Sequence, residues 1–118
     1  QDPTHNSFRS EMAAQVQEGN EQLEGGRYRA AIVIFESVMA ADPSAETHSY
    51  YDAKDGLELA NRRMLRVKER AWDRARRASS ADDDAAAAEA YREILRVDPD
   101  DRTAAAELAE VEKRLPSP

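Results

Sequence analysis

The sequence predicts an all-α chain of about five helices, arranged as antiparallel hairpins that share one long central helix, a short α-solenoid. Three observations carry that expectation. Alanine, leucine, glutamate and arginine dominate the 118 residues and β-branched residues are few, a composition that favours helix. Apolar residues recur at spacings of three and four along most of the chain, the period of an amphipathic helix face. Finally, one pattern occurs twice, as Phe35-Glu36-Ser37-Val38-Met39-Ala40-Ala41-Asp42-Pro43 and as Tyr91-Arg92-Glu93-Ile94-Leu95-Arg96-Val97-Asp98-Pro99. Each copy has an aromatic residue, two apolar residues one turn later, and then Asp-Pro. The small residues Ala31 and Ala87 each stand four positions before the aromatic.

The elements follow in order. The first helix is expected to start between Ser7 and Ser10 and to end near Leu23, with Ala13, Val16 and Leu23 on one face. Gly25-Gly26 stops it, because paired glycines make helix costly and supply positive φ for a turn. The second helix, Tyr28 to Ala41, buries Ala31, Ile32, Ile34, Phe35, Val38 and Met39. Asp42-Pro43 ends it, since a residue before proline avoids helical backbone. Ser44 is placed to cap a third helix with Glu46 in its first turn. Tyr50, Ala53, Leu57, Ala60, Met64, Val67, Ala71, Ala75 and Ala78 then recur at helical spacing with no proline before Ser79-Ser80. This predicts one helix over 45–79, roughly 50 Å long at ~1.5 Å per residue. The alternative is a break near Asp55-Gly56, because an interior glycine costs about 1 kcal/mol relative to alanine. Asp82-Asp83-Asp84 suit the start of a fourth helix carrying Ala87, Ala90, Tyr91, Ile94, Leu95 and Val97. Asp100 is expected to cap a fifth, with Ala104, Ala105, Leu108, Val111 and Leu115 inward and a polar outer face, as a capping helix requires. The helical domain so drawn covers 7–115, as a hairpin over 7–43, the long helix over 45–79 and a last hairpin with its capping helix over 82–115. Residues 1–6 read as a disordered or vector-derived start and 116–118 as a linker, so the chain is expected to be a piece of a longer protein.

The repeat resembles the tetratricopeptide family. In the first unit the matching positions are Gly19, Gly26, Tyr28, Ala31, Phe35 and Pro43, and their spacing agrees with the family pattern throughout. The second unit is more degenerate: it keeps Ala75, Ala87, Tyr91 and Pro99, with Asp82 at the turn position. The resemblance covers 12–43 and 68–99. Gly19 and Ala31 let the two helices of a hairpin press together, Gly26 makes the turn, Tyr28 and Phe35 fill the gap to the next helix, and Pro43 stops the hairpin. The two prolines are too far apart for one repeat of about 34 residues. Lys54-Asp55-Gly56-Leu57 echoes Gln17-Glu18-Gly19-Asn20 with no turn after it, so the third helix is expected to serve both hairpins.

The resemblance implies a non-enzymatic protein-interaction module, a scaffold or adaptor segment that binds a peptide in a groove lined by its first helices. Those positions are Val16, Gln17 and Asn20 on the first helix and Tyr51, Lys54, Asp55 and Glu58 on the third. Some family members hold a terminal carboxylate with lysines, asparagines and an arginine. Asn20 matches one such position, but Val16 stands where a lysine is expected, so that activity does not carry over. Of Tyr50 and Tyr51, one should be core and the other a candidate contact anchor. Trp72 is expected in the core of the second hairpin.

A second candidate surface is basic. Arg62, Arg66, Arg70 and Arg74 follow at four-residue spacing within a stretch that also holds Arg63, Lys68, Arg76 and Arg77. Such a stripe suits an acidic peptide, an acidic protein face or a phosphorylated ligand. Its other reading is a solvated helix face paired with neighbours such as Asp82 to Asp84. Two further functions therefore stay open: self-association through the long helix or a swapped hairpin, and phosphate or nucleotide sensing through the stripe.

Other chemistry finds little footing. The formal net charge of −7 argues against a general nucleic-acid binder. There is no cysteine for disulfides or thiolate ligands, and no apolar run approaches the ~20 residues of a membrane span. His48, Ser49 and Asp52 share one exposed turn without a pocket or oxyanion hole, and His5 lies in the start expected to be disordered or vector-derived. Asp82 to Asp84 lack the spacing, central glycine and distal glutamate of a calcium loop. Gly25-Gly26 is a turn, not a phosphate loop. No catalytic residue, metal or cofactor is expected.

Overall fold

The computed structural model describes residues 3–116, with side chains from Ser7 onward. Gln1 and Asp2 of the expected start and Ser117 and Pro118 of the expected linker lie outside the described residues. The described residues form five helices and no strand: α1 (Pro3–Glu24), α2 (Tyr28–Ala41), α3 (His48–Ser80), α4 (Asp84–Val97) and α5 (Arg102–Arg114). α1 begins earlier than the expected Ser7 to Ser10, at Pro3, a residue the first helical position tolerates because its missing N–H needs no partner there. α3 runs through Gly56 without a break. The chain divides into two compact units, residues 1–63 and 64–118, and the division falls within α3.

In the first unit, α1 buries Met12, Val16, Gly19 and Leu23, a stripe at spacings of four, three and four. Ala13, expected on that face, is exposed. Met12 takes its place because it falls four residues before Val16 and so lies on the same side of the helix. α2 buries Ala31, Ile32, Phe35 and Val38, leaving Ile34 and Met39 at the margin. The front of α3 adds Ala53, Gly56 and Ala60.

Phe35 is the centre of this unit and is fully buried. A Cβ added at Gly19 would stand 2.5 Å from its Cε1, and one added at Gly56 would stand 2.5 Å from its Cζ. The ring is thus held between two glycines, one on α1 and one on α3. Gly56 is a socket for Phe35, which is why a residue of poor helix propensity sits inside a long helix.

The two hairpin turns are one motif used twice. After α1, Gly26 N–H donates to Leu23 O at 3.0 Å and Arg27 N–H to Gln22 O at 2.9 Å, with Gly26 at φ +77°. After α3, Asp82 N–H donates to Ser79 O at 3.1 Å and Asp83 N–H to Ala78 O at 2.9 Å, with Asp82 at φ +56°. Both are left-handed helix terminations of the Schellman type, offset by the same interval that separates Phe35 from Tyr91. In the second copy an aspartate bears the steric cost, about 1–2 kcal/mol for an ordinary L-residue, that glycine avoids.

Two of the expected caps are displaced, each for a local electrostatic reason, while the cap of α4 falls within the expected Asp82-Asp83-Asp84 run. Ser44 does not start α3. The Asp42 carboxylate accepts from Glu46 N–H at 3.0 Å, Thr47 N–H at 2.9 Å and the Thr47 hydroxyl at 2.7 Å, and Ala45 is left-handed at φ +54°. The backbone enters the helix only at His48, with Thr47 Oγ1 accepting from Tyr50 N–H at 3.2 Å. Asp83 caps α4, accepting from Ala86 N–H at 3.0 Å. Asp101, not Asp100, caps α5, accepting from Ala104 N–H at 3.0 Å, because Asp100 belongs to the turn and donates its N–H to the Asp98 carboxylate.

The second unit packs Ala71, Ala75 and Ala78 of α3 against Ala87, Ala88, Ala90, Tyr91 and Ile94 of α4 and Ala104 and Val111 of α5. Seven alanines in that set bring the helix backbones close. Trp72, Leu95, Leu108 and Leu115 close the edge, partly buried, while Ala105 is exposed. Trp72 meets Tyr91 edge to face, ring centroids 5.5 Å apart at 68°, a favoured aromatic arrangement.

Candidate functional site

The first unit carries an open groove of about 420 Å³ between α1 and α3. Val16, Asn20 and Leu23 line one wall, and Asp52, Asp55, Gly56 and Leu59 the other. Their spacings show why. Asn20 lies one turn from Val16, and Asp52, Asp55, Gly56 and Leu59 form a helix stripe that shares the buried Gly56 with the core row of Ala53 and Ala60. The base is therefore apolar and the polar rim consists of one carboxamide and two carboxylates. Asp52 and Asp55 are exposed and make no ion pair among the described residues. With two carboxylates and no cation among its lining residues, the groove repels a terminal carboxylate.

Asn20, Val16 and Asp55 thus stand where the sequence places them, while Gln17, Lys54, Tyr51 and Glu58 do not line the groove. Tyr51 is 52% exposed and rests edge to face on the half-buried Tyr50, centroids 5.2 Å apart. Sequence reasoning missed Leu23, Asp52, Gly56 and Leu59. The three on α3 were findable as neighbours of Asp55 on a three-four stripe.

Arg62, Arg66, Arg70 and Arg74 are exposed along α3. Arg62 belongs to the first unit, and Arg66, Arg70 and Arg74 to the second. Four residues exceed one helical turn, so each step along the stripe rotates it by about 40°. Arg74 pairs with Glu93, Arg76 with Asp73, and Arg63 reaches Glu24 at 3.8 Å. Arg62, Arg66, Arg70 and Arg77 make no ion pair among the described residues.

Arg74 and Arg77 reappear in a second groove of about 560 Å³ between the end of α3 and α4. Ala78, Ala81, Ala86 and Ala90 floor it; Arg74, Arg77 and Arg96 face Asp83, Glu89 and Glu93. Its formal charges cancel, unlike those of a phosphate cradle.

Lys68 serves the fold. Its Nζ lies 2.7 Å from Asp98 Oδ2 and 2.9 Å from Asp101 Oδ2, tying α3 to the α4–α5 turn. Burial works against its ammonium, but hydrogen bonds to the two aspartates outweigh it and hold its pKa above the ordinary value. Burial likewise opposes the Asp101 carboxylate, yet Ala104 N–H and Lys68 hold its pKa below the ordinary value. At Asp42, the repeat counterpart of Asp98, the Thr47 hydroxyl and the backbone N–H groups of Glu46 and Thr47 lower the pKa against the effect of burial.

His48 is exposed at the start of α3. Among the described residues no group of three or more His, Cys, Asp or Glu side chains could hold a metal, and no helix is long and apolar enough to cross a membrane. No protein-family model matches this sequence, and searches of curated proteins and of solved structures found no match.

Proposed function

We propose that this chain is a non-enzymatic protein-interaction module of tetratricopeptide-like hairpins, and that its α1–α3 groove receives an extended segment bearing lysine or arginine. The observation that carries the reading is the groove's lining: Asn20, Asp52 and Asp55 around an apolar base of Val16, Leu23 and Leu59. A carboxamide offers backbone-like hydrogen bonds to an extended chain, and the carboxylates favour a cationic side chain by charge-assisted bonds. The repeated turn motif and the Gly19–Phe35 packing support the tetratricopeptide-like part. The test is the affinity of labelled peptides of equal length, lysine-rich against glutamate-rich. Replacing Asp52 and Asp55 by asparagine should weaken the lysine-rich peptide about tenfold, the loss of one charge-assisted bond of about 1.5 kcal/mol. Equal binding of both peptides, or no effect of the substitutions, contradicts the groove reading.

A second reading rests on Arg66 and Arg70, exposed and without ion pairs among the described residues. They offer a docking point for a partner with an acidic face. Reversing both to glutamate should reduce the association rate and its salt dependence; an acidic partner that binds the variant unchanged removes this reading.

A further inference from the structure

Arg76, Arg77, Ala78 and Ser79 occupy the last turns of α3, which ends at Ser80. Ala78 is buried in the second core, whereas Ser79 and Ser80 are exposed. The Arg76 side chain is 67% exposed and pairs with Asp73 one turn back. Arg77 is exposed and makes no ion pair among the described residues. Two guanidinium groups therefore stand three and two residues before an accessible serine hydroxyl. Planar guanidinium forks dock bidentately on carboxylates, so a serine kinase with an acidic substrate cleft reads this spacing. Ser80 has Arg77 three residues before it but Ala78 at the second position, so Ser79 alone satisfies both.

The backbone suits the reaction too, because a kinase takes its acceptor in extended form and the segment must open. Ser79 O accepts from Asp82 N–H, one of the bonds that close the turn, and Asp82 holds left-handed backbone without being glycine. That strain lowers the cost of unwinding the last turn, where helices fray in any case.

We propose that Ser79 is an acceptor for an arginine-directed serine kinase, and that its phosphate loosens the α3–α4 turn. Ser79 Oγ attacks the γ-phosphorus of ATP, the bond to the β–γ bridging oxygen breaks, and ADP leaves. The hydroxyl proton passes to the kinase's own carboxylate base. The new group carries about −1.5 to −2 charges at neutral pH. It sits at the negative end of the α3 dipole, with Asp82, Asp83 and Asp84 following. Its one cation a helical turn back, Arg76, is already paired with Asp73. Repulsion therefore prevails, and it bears on Asp83, whose carboxylate caps α4.

The experiment treats the full chain with ATP and the catalytic subunit of cyclic-AMP-dependent protein kinase, and maps phosphate by mass spectrometry. The expected product carries phosphate on Ser79. Ser79→Ala should abolish incorporation at that position, Ser80→Ala should leave it within about twofold, and the Arg76→Ala/Arg77→Ala double variant should lose about tenfold or more. In the phosphorylated chain, amide exchange at Asp82 and Asp83 should accelerate at least about threefold. An unmodified Ser79 in the folded chain, while a free peptide of residues 73–84 is phosphorylated, overturns the site, as does modification of Ser80 in its place. Unchanged exchange at Asp82 and Asp83 overturns the proposed effect on the turn.

Discussion

One methyl group at Gly56 separates two opposing forces. By helix propensity alone, Gly56→Ala inside α3 should stabilise the chain by about 1 kcal/mol. The packing says otherwise. The added Cβ would lie 2.5 Å from Phe35 Cζ, closer than carbon atoms approach, and Gly19 supports the ring from the other side. Phe35 is fully buried, so its ring has no free space to enter. Overpacking of this kind costs about 1–3 kcal/mol and more when the neighbour cannot move. The net expectation is destabilisation of about 1–2 kcal/mol, read from urea denaturation followed by helical circular dichroism. A cycle with Phe35→Ala isolates the cause. That variant alone should lose about 3–5 kcal/mol. In its background the clash is gone, so Gly56→Ala should turn neutral or stabilising, a coupling of opposite sign to propensity. If Gly56→Ala stabilises the otherwise unchanged chain, the socket argument is wrong.

Other expectations follow from the turns and the ion cluster. Asp82→Gly should stabilise by about 1 kcal/mol by removing left-handed strain, whereas Gly26→Ala should destabilise by a similar amount, both measurable as denaturation midpoints. Lys68→Met leaves the Asp98 and Asp101 carboxylates crowded without their cation and should cost about 2–3 kcal/mol; a smaller loss than for Arg70→Met would show that the cluster is not a lock. The same cluster sets a pH dependence. Asp101 is depressed, so its contribution is complete above the ordinary carboxylate value of about 4 and is lost as pH falls through the lowered one. Lys68 is raised, so its contribution is complete below about 10 and is lost as pH rises through the raised value. Thermal melts across that range should show both limbs, and Lys68→Met should remove the alkaline one.

The helix order was legible because its signals are local. Asp42-Pro43 and Asp98-Pro99 end helices through a steric effect on the preceding residue, and Gly25-Gly26 ends one through backbone freedom. Signals that depend on distant partners were not. Gly56 reads as a possible break until Phe35 is seen against it. Lys68 reads as one charge in a basic stretch until Asp98 and Asp101 close on it from thirty and thirty-three residues away. Ser44 reads as a cap because serine favours that position and Glu46 would fall in the first turn, but Asp42 gathers the intervening N–H groups and moves the start of α3 to His48. The groove was half legible. Asn20 and Asp55 follow from the first-helix pattern, while Leu23, Asp52 and Leu59 enter through the crossing of α1 on α3.

The most direct test of the interaction-module account is an amide chemical-shift titration of the labelled chain with a lysine-rich peptide. The account predicts saturable shifts centred on Asn20, Asp52, Asp55 and Leu59, absent when Asp52 and Asp55 are asparagine. Shifts centred elsewhere, or none at concentrations where peptides bind helical grooves, would contradict it.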